Sequence, residues 1–293
     1  MKCSSKTERL IGCICFISVA LVMMICFTAG VAKADPFIVP DFESAVFDTP
    51  THIDNAFFTL IPGTAFCYEA DTEDGPETNE VTVVTQGGGA CTLPIADVQT
   101  IVVRDAVRLD GNLTEDTYDF YAQDNDGNVW YLGEATKECG PPQNTEGTWN
   151  ANNFDSNNNP HGGGEPGIVM LDDPMQGKSY QEEFLVDVAE DMAKVLRLNA
   201  DVTDYCDKDC LNTKEWTPLA PGNVEHKYYA PDIAPDIGGL VLVEALKGKT
   251  VLTELVVVLD VNDTGACPSS FTNALANLCN IALPPPMNCV SPE

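Results

Sequence analysis

Short apolar and β-branched runs alternate with clusters of turn-forming residues along most of the chain. In the first half, Thr100–Arg108, Thr117–Ala122 and Val129–Gly133 are such runs, and Asp, Asn and Gly dominate the segments 109–112 and 124–128 between them. Runs of this length between Asn/Asp/Gly turns are typical of β-hairpins. The pattern therefore predicts an antiparallel up-down-up meander.

The middle of the chain looks duplicated. Phe120-Tyr121-Ala122 aligns with Tyr228-Tyr229-Ala230, and each aromatic pair leads through an Asp/Gly turn into another apolar run. The second copy has its own series of runs: Asn212–Thr217, Val224–Ala230, Leu240–Ala245 and Val251–Val258. Because no segment has long helical periodicity, we predict an all-β fold with two pseudo-repeated antiparallel meanders.

Two segments are rich in helix formers. Gln181–Leu198 could form an amphipathic helix, but the internal repeat aligns residues 189–195 with a strand of the first hairpin, which favours strand–turn–strand. Ser270–Asn280 predicts a short C-terminal helix, since Ser269 or Ser270 can cap it. The buried stripe of that helix would be Ala274, Leu275 and Leu278.

The sequence divides into five parts. Residues 1–34 are an expected signal peptide, and 35–138 and 168–260 are the N-terminal and C-terminal meander halves. Between the halves, residues 139–167 are polar and rich in Asn and Gly, which predicts a mobile connecting loop. Residues 261–293 form a Cys/Pro-rich tail.

The first 34 residues have the order of an export signal. Lys2, Lys6 and Arg9 precede the apolar stretch Leu10–Ala29, and Ala32-Lys33-Ala34 forms an A-x-A cleavage site. The alternative is an uncleaved membrane anchor, since the apolar run approaches the length that spans a bilayer. Cleavage would leave a mature chain with no membrane span, exported to the periplasm or the extracellular space.

The chain beyond the signal is strongly acidic. The full sequence has 15 Lys/Arg and 45 Asp/Glu; residues 1–34 hold four of the basic residues and one of the acidic ones, so the remainder has 11 against 44, a net charge of −33. Such a field repels nucleic acid and anionic membrane surfaces, so we expect neither as a partner. Solvation in a salty medium and loading with divalent cations are both open explanations of the acidity.

An even number of cysteines follows the signal. An even count behind an export signal predicts a disulfide framework of up to four bridges, whose connectivity the sequence does not specify. The alternative at Cys206-x-x-x-Cys210 is a zinc site, but the sequence has no second Cys/His pair at ligand spacing to complete it. The eight cysteines are Cys67, Cys91, Cys139, Cys206, Cys210, Cys267, Cys279 and Cys289.

Sequence motifs of the common enzyme classes are missing. The chain has no G-x-S-x-G, no H-E-x-x-H, no P-loop and no G-x-G-x-x-G after a strand. Its only histidines are His52, His161 and His226, and no local motif supports a Ser/His/Asp arrangement. We therefore expect a protein that is not an enzyme, and a hydrolase using His226 is the third hypothesis.

Ring-bearing residues on the two aligned strands are candidate ligand contacts. Alternation along the strands places His226 and Tyr228 on one face of the second half, and Tyr118 and Phe120 on the matching face of the first. Together with Trp130 they would line an aromatic cleft for an apolar small molecule or a glycan. The alternative is ordinary core packing around a hydrogen-bonded histidine.

Calcium is the one cofactor that the sequence suggests. Asp124 and Asp126 lie in an Asp/Asn/Gly turn, and Asp155 lies in an Asn-rich loop, so oxygen ligands are dense in both places. Neither segment has EF-hand spacing, and a tight hairpin turn and a disordered loop are the respective alternatives. Calcium on an acidic, disulfide-stapled chain would suit a structural or adhesive surface protein.

Several longer strings resemble a family of exported bacterial proteins of uncharacterised function, over roughly residues 45–260. They are Pro62-Gly63-Thr64, TYDFYAQD at 117–124, GNVWY at 127–131, AEDM at 189–192, WTPL at 216–219 and EHKYYAP at 225–231. The chain departs from that family's plainer Ala-Pro-Gly-x-Gly turn at residues 231–239. The resemblance implies no activity and no catalytic residue.

The second aromatic strand, with its Ala-Pro turn and the Gly-Leu-Val strand after it, also resembles exported half-barrel proteins. That resemblance implies two curved, half-barrel-like sheets of the kind that cradle lipids or acyl chains. The favoured hypothesis is an exported, non-enzymatic binding protein with an apolar, aromatic cleft between duplicated β-sheets. The oligomeric state is not specified by the sequence.

Overall fold

The computed structural model describes residues 37–72, 74–245, 249–251, 256–259 and 267–279. The predicted signal segment 1–34 and Cys289 lie outside the described residues. The strands are, in chain order, β1 (Phe37–Ile38), β2 (Ile53–Asn55), β3 (Phe58–Leu60), β4 (Thr64–Thr72), β5 (Gly75–Val83), β6 (Thr85–Gln86), β7 (Gly89–Ala90), β8 (Thr92–Ile95), β9 (Val98–Leu109), β10 (Asn112–Gln123), β11 (Val129–Glu138), β12 (Trp149–Asn150), β13 (Glu165–Met170), β14 (Ser179–Gln181), β15 (Glu183–Phe184), β16 (Met192–Val202), β17 (Cys206–Trp216), β18 (Val224–Ala234), β19 (Ile237–Ala245), β20 (Lys249–Val251) and β21 (Val256–Leu259). A 3₁₀ turn covers Phe42–Ser44 and helix α1 covers Phe271–Asn277.

Most of the strands form two large sheets. The first sheet has the order β15-β13-β11-β10-β9-β5-β4-β21, with β8 paired to β9 and β12 to β11; the second has the order β1-β14-β16-β17-β18-β19-β20. Neighbouring strands are antiparallel except for β1 and β14, so the lead-in to the N-terminal half pairs with an edge of the second sheet. The predicted all-β class with two curved antiparallel meanders is confirmed.

The segment 181–198 adopts the predicted strand–turn–strand arrangement. Strand β14 pairs with β16, with Tyr180 opposite Ala193, and the chain between them reverses at a bridge from Leu185 to Ala189. Asp187 takes a positive φ of 61° in this turn. Strand pairing on both flanks therefore overrides the helix propensity of the segment.

The connecting segment 139–167 contributes to the first sheet. Its strand β12 pairs with β11, with Asn150 opposite Gly133, and the Trp149 ring is fully buried. Gly133 has a φ of +149°, and a Cβ there would lie 2.6 Å from the Trp149 carbonyl oxygen, so the pairing requires glycine. The segment that we predicted as a mobile loop thus supplies a strand and a core side chain.

The predicted C-terminal helix is confirmed. The Ser270 side chain caps α1 by accepting a 3.1 Å hydrogen bond from the Asn273 amide, and Ala274 and Leu278 are buried. The ring of Phe271 packs 5.7 Å from that of Phe120. Disulfides on both sides of the helix, Cys91–Cys267 and Cys139–Cys279, attach it to the first sheet. Among the described residues, no helix is long and apolar enough to cross a membrane.

The short hairpin of β2 and β3 packs against strand β19 of the second sheet. A Cβ on Gly238 would collide with the Ala56 carbonyl, so only glycine permits this approach. The Gly238 amide donates a 3.0 Å hydrogen bond to Thr59 Oγ1. The hairpin therefore lies at one end of the space between the sheets.

Candidate functional site

A cleft of about 450 Å³ lies between the two sheets. Its walls come from β4, β5, β9 and β10 of the first sheet and from β18 and β19 of the second, with β3 at one end. The lining combines aromatic rings, several carboxyl groups and one lysine. The rings are those of Phe58, Phe66, Tyr68, Tyr121 and Tyr229, and the carboxyl groups are those of Glu69, Glu77, Asp105, Asp119 and Glu225.

Strand alternation decides which residues of β10 reach the cleft. Asp119 and Tyr121 line it, whereas Tyr118 and Phe120 point to the opposite face of the first sheet. Phe120 is fully buried there against α1. Tyr118 is buried with its ring 6.0 Å from the Arg104 guanidinium. Our prediction of a cleft on the face of Tyr118 and Phe120 was wrong in its choice of face, because both faces of this sheet are covered.

Trp130 lies on that opposite face as well and is buried. Its ring contacts Phe42 and Phe47 at centroid distances of 5.3 and 6.3 Å, and its indole N–H donates to Asp124 Oδ2 at 2.7 Å. Trp130 therefore anchors the lead-in segment and does not line the cleft.

Side-chain alternation also decides which residues of β18 reach the cleft. Lys227 and Tyr229 line the cleft, whereas His226 and Tyr228 lie on the outer face of the second sheet. The structure does bring His226 and Tyr228 together, because both meet Glu244. The Tyr228 hydroxyl donates to Glu244 Oε2 at 2.9 Å, and His226 Nδ1 lies 3.9 Å from the same oxygen. Burial and the hydrogen bond to Glu244 raise the pKa of Tyr228 to about 12.

Two unpartnered acceptors lie in the cleft wall. Asn79 Nδ2 donates to Asp105 Oδ2 at 3.2 Å. The remaining oxygens, Asp105 Oδ1 and Asn79 Oδ1, are shielded from solvent and have no hydrogen-bond partner among the described residues. Burial raises the pKa of Asp105 to about 7, helped by the charges of Glu115 and Asp116 and opposed by the hydrogen bond from Asn79.

Asp119 belongs to a group of buried acids that extends from the cleft into the first sheet. The Tyr131 hydroxyl lies 2.6 Å from Asp119 Oδ1 and 3.0 Å from Glu134 Oε2. One hydroxyl proton serves only one of these oxygens well, so a protonated carboxyl group completes the arrangement. Burial and the charge of Asp105 raise the pKa of Asp119 to about 8. Burial and the charges of Glu183 and Asp119 also raise the pKa of Glu134.

On the second sheet, a lysine compensates the buried acids. Lys227 Nζ lies 2.5 Å from Glu215 Oε2, while Thr213 Oγ1 and the Tyr229 hydroxyl donate to Glu215 Oε1 at 2.8 and 3.0 Å. Burial by itself lowers the pKa of Lys227, but Glu215, Glu182 and Glu225 outweigh it and raise that pKa. Lys227 is therefore a permanent cation whose charge is used within the protein.

Two of the three predicted calcium ligands, Asp124 and Asp155, already have protein donors. Asp124 accepts hydrogen bonds from the Asn128 amide at 2.9 Å and from Trp130, as expected of a tight hairpin turn. Asp126 is exposed in the same turn. Asp155 accepts from the Asn157 amide at 2.9 Å and the Asn158 side chain at 2.8 Å, and these bonds lower its pKa. Among the described residues, no group of three or more His, Cys, Asp or Glu could hold a metal ion, and calcium binding stays a prediction.

The cysteines form disulfides where they are described. Cys206 and Cys210 are bonded to each other, so the alternative of zinc at this pair was wrong. The Cys91–Cys267 and Cys139–Cys279 bridges span 176 and 140 residues. Cys67 is disulfide-bonded as well.

Asp105, Asp119, Lys227 and Tyr229 were all missed as site residues at the sequence level. The available signal was a polar residue between large apolar ones, as in Tyr118-Asp119-Phe120. No family model, no curated protein and no solved structure matches this chain. The geometry and charge of the cleft are therefore the basis for a functional proposal.

Proposed function

We propose that this chain is an exported, non-enzymatic binding protein that holds a small ligand in the cleft between its two sheets. The observation that carries the proposal is a cleft of about 450 Å³ with five aromatic rings in its lining. Small-molecule sites are concavities of this size, with apolar and aromatic walls and a few convergent polar groups.

Two further features support the exported part of the proposal. The described residues contain three disulfides, which are typical of oxidising compartments outside the cytosol. The strings at residues 117–124 and 225–231 resemble a family of exported bacterial proteins, and we include membership of that family in the proposal.

The test is native mass spectrometry of gently purified mature protein, combined with thermal shifts over a panel of lipids, glycans and small amines. We expect a co-purifying small molecule, or a shift with one class of the panel. A clean apo mass with no shift from any compound would overturn the proposal. Recovery of a bound compound in a chemically altered form would overturn its non-enzymatic part.

A matched pair of valine substitutions locates the ligand. Val243 lines the cleft on β19, so V243W would fill it and abolish the mass increment or thermal shift. Val186 is 60% exposed in the turn before β16, so V186W adds the same ring outside the cleft and should retain the ligand. Loss of ligand from both variants, or from neither, would place the ligand elsewhere.

A further inference from the structure

The cleft carries more negative charge than its own cation can balance. Five carboxyl-bearing residues line it, and Lys227 is the only Lys or Arg among the lining residues. The Lys227 ammonium is held 2.5 Å from Glu215 on the neighbouring strand β17, a residue that does not line the cleft. A ligand in the cleft therefore meets carboxyl groups that outnumber the one cation of the lining.

The cleft also has two acceptors that need a donor. Asp105 Oδ1 and Asn79 Oδ1 are both shielded from solvent and unpartnered among the described residues, although the two side chains are bonded to each other through their other atoms. Buried polar atoms in folded proteins nearly always have a partner, and an exception calls for an explanation. Both residues line the cleft, so a small rotation of either side chain would let a ligand N–H or O–H group supply the missing hydrogen bonds.

Aromatic faces complete the site. Tyr121 is stacked on Tyr131 with a centroid distance of 4.9 Å and meets the edge of Phe58 at 5.3 Å, so this part of the wall is a fixed aromatic surface. The face of an aromatic ring carries partial negative charge and attracts cations. Rings and carboxyl groups together favour a positive ligand with an apolar body over a neutral or negative one.

We propose that the ligand of the cleft is an organic cation, with a protonated amine directed at Asp105 and Asn79 and an apolar portion against Tyr121 and Phe58. This inference rests on the proposed function and deepens it by assigning a ligand class. The amine donates to the two unpartnered oxygens and offsets the surplus of carboxyl groups.

Binding of a cation should also release protons. A bound ammonium favours the ionised form of Asp105, whose pKa burial has raised to about 7, so affinity should increase as the pH rises from 6 to 8. Glu115 and Asp116 raise the pKa of Asp105 and Lys227 lowers it. The other titratable groups that share the lining with Asp105 are Tyr68 and Glu69 on β4, Glu77 on β5, Asp119 and Tyr121 on β10, and Glu225 and Tyr229 on β18.

Three probes of similar size and shape test the ligand class by calorimetry at pH 8. They are 2-phenylethylamine, 2-phenylethanol and 3-phenylpropionate, which are a cation, a neutral compound and an anion. We expect the amine to bind at least ten-fold more tightly than the alcohol, and the anion to bind most weakly. The inference is overturned if the alcohol or the anion binds as tightly as the amine, or if no probe binds.

Isosteric substitutions test whether the preference for the amine probe arises from Asp105 in the cleft. D105N should weaken amine binding at least ten-fold and leave alcohol binding within two-fold, because it removes charge with little change of shape. D209N, at an exposed position of β17, is the matched control and should change neither. If D105N does not fold, as judged by its thermal melt, E225Q takes its place; unchanged amine affinity in the folded variant would overturn the inference.

Failure of this inference is distinguishable from failure of the proposed function. A neutral lipid or glycan found in the native complex would leave a binding protein whose ligand is not a cation. A clean apo mass with no thermal shift, together with no binding of the three probes, would remove both proposals.

Discussion

Two buried carboxyl groups on opposite walls of the same interior have different surroundings. Glu215 on the second sheet and Asp119 on the first are each 7% exposed. Glu215 has the Lys227 ammonium and the hydroxyl groups of Thr213 and Tyr229 as partners. Within the described part of the chain, Asp119 has as its hydrogen-bond partner the hydroxyl of Tyr131, which it shares with Glu134.

The comparison shows that burial alone does not set the charge of a carboxyl group. A cation within contact distance stabilises the ionised form, whereas burial without one favours the protonated form. Glu215 is therefore held in an ion pair with Lys227, whereas Asp119 keeps its proton at neutral pH. This difference can be tested by removing the cation, by removing an uncompensated acid, and by removing one hydroxyl from each wall.

Removing the cation should have the largest effect. We expect K227M to lower the free energy of unfolding by about 3–5 kcal/mol, because it leaves Glu215 buried without its counter-charge. Urea unfolding at pH 7 measures the loss. K208M is the control, since that lysine is 73% exposed beside an exposed Asp207 and should contribute less than about 0.5 kcal/mol. Equal losses in the two variants would contradict a structural role for the Lys227–Glu215 pair.

Removing an uncompensated acid should change how stability depends on pH. The pKa of Asp119 in the folded protein is about 8, well above the ordinary aspartate value of 3.8. Between those values the unfolded chain has lost a proton that the folded protein keeps, so stability falls with rising pH by about 1.4 kcal/mol per pH unit. D119N removes this contribution, and its loss of stability from pH 5 to pH 8 should be smaller than that of the natural sequence by about 2–4 kcal/mol.

The control for D119N is an aspartate with the opposite shift. Backbone and side-chain donors lower the pKa of the exposed Asp155, so its contribution is present above the ordinary pKa and is lost only as the pH falls through the lowered value. D155N should therefore follow the natural sequence between pH 5 and pH 8 in urea titrations at each pH. A D119N curve parallel to that of the natural sequence would contradict a protonated Asp119.

The sequence predicted the strands well because both hairpin turns and alternation are local properties. It also located the capped helix and favoured strand–turn–strand over residues 181–198, where the internal repeat outweighed helix propensity. Neither property specifies which face of a strand meets the other sheet. For Tyr118-Asp119-Phe120 we chose the aromatic face as the cleft. Both rings are instead buried on the opposite face of the sheet, with Phe120 against α1, and the aspartate lines the cleft.

Long-range pairing was equally beyond the reach of the sequence. The even cysteine count predicted a disulfide framework, but residues as distant as Cys91 and Cys267 meet only in the folded protein. The Lys227–Glu215 ion pair was not predictable from the sequence either, because the two residues meet only through the pairing of β17 with β18. A charged residue between two aromatic residues within a strand signals that both faces are covered, and this signal could have directed attention to Asp119.

The smallest effect should come from removing single hydroxyl groups, one on each wall. Y131F removes the hydroxyl that Asp119 and Glu134 share, and Y229F removes one of the three described partners of Glu215. We expect each to lower the free energy of unfolding by about 1–2 kcal/mol at pH 6, the usual contribution of a buried hydrogen bond to a carboxyl group.

The losses of unfolding free energy in Y131F and Y229F should become different as the pH rises. The hydrogen bond from Tyr131 holds the pKa of Asp119 below the value that burial alone would give, so its removal raises that pKa further and makes ionisation above pH 8 more unfavourable. Glu215 keeps Lys227 and Thr213 in Y229F, so the loss there should be the same at pH 6 and pH 9. Urea titrations at the two pH values measure both. A pH-independent loss in Y131F, or a growing one in Y229F, would mean that the partner set does not control the charge of these two acids.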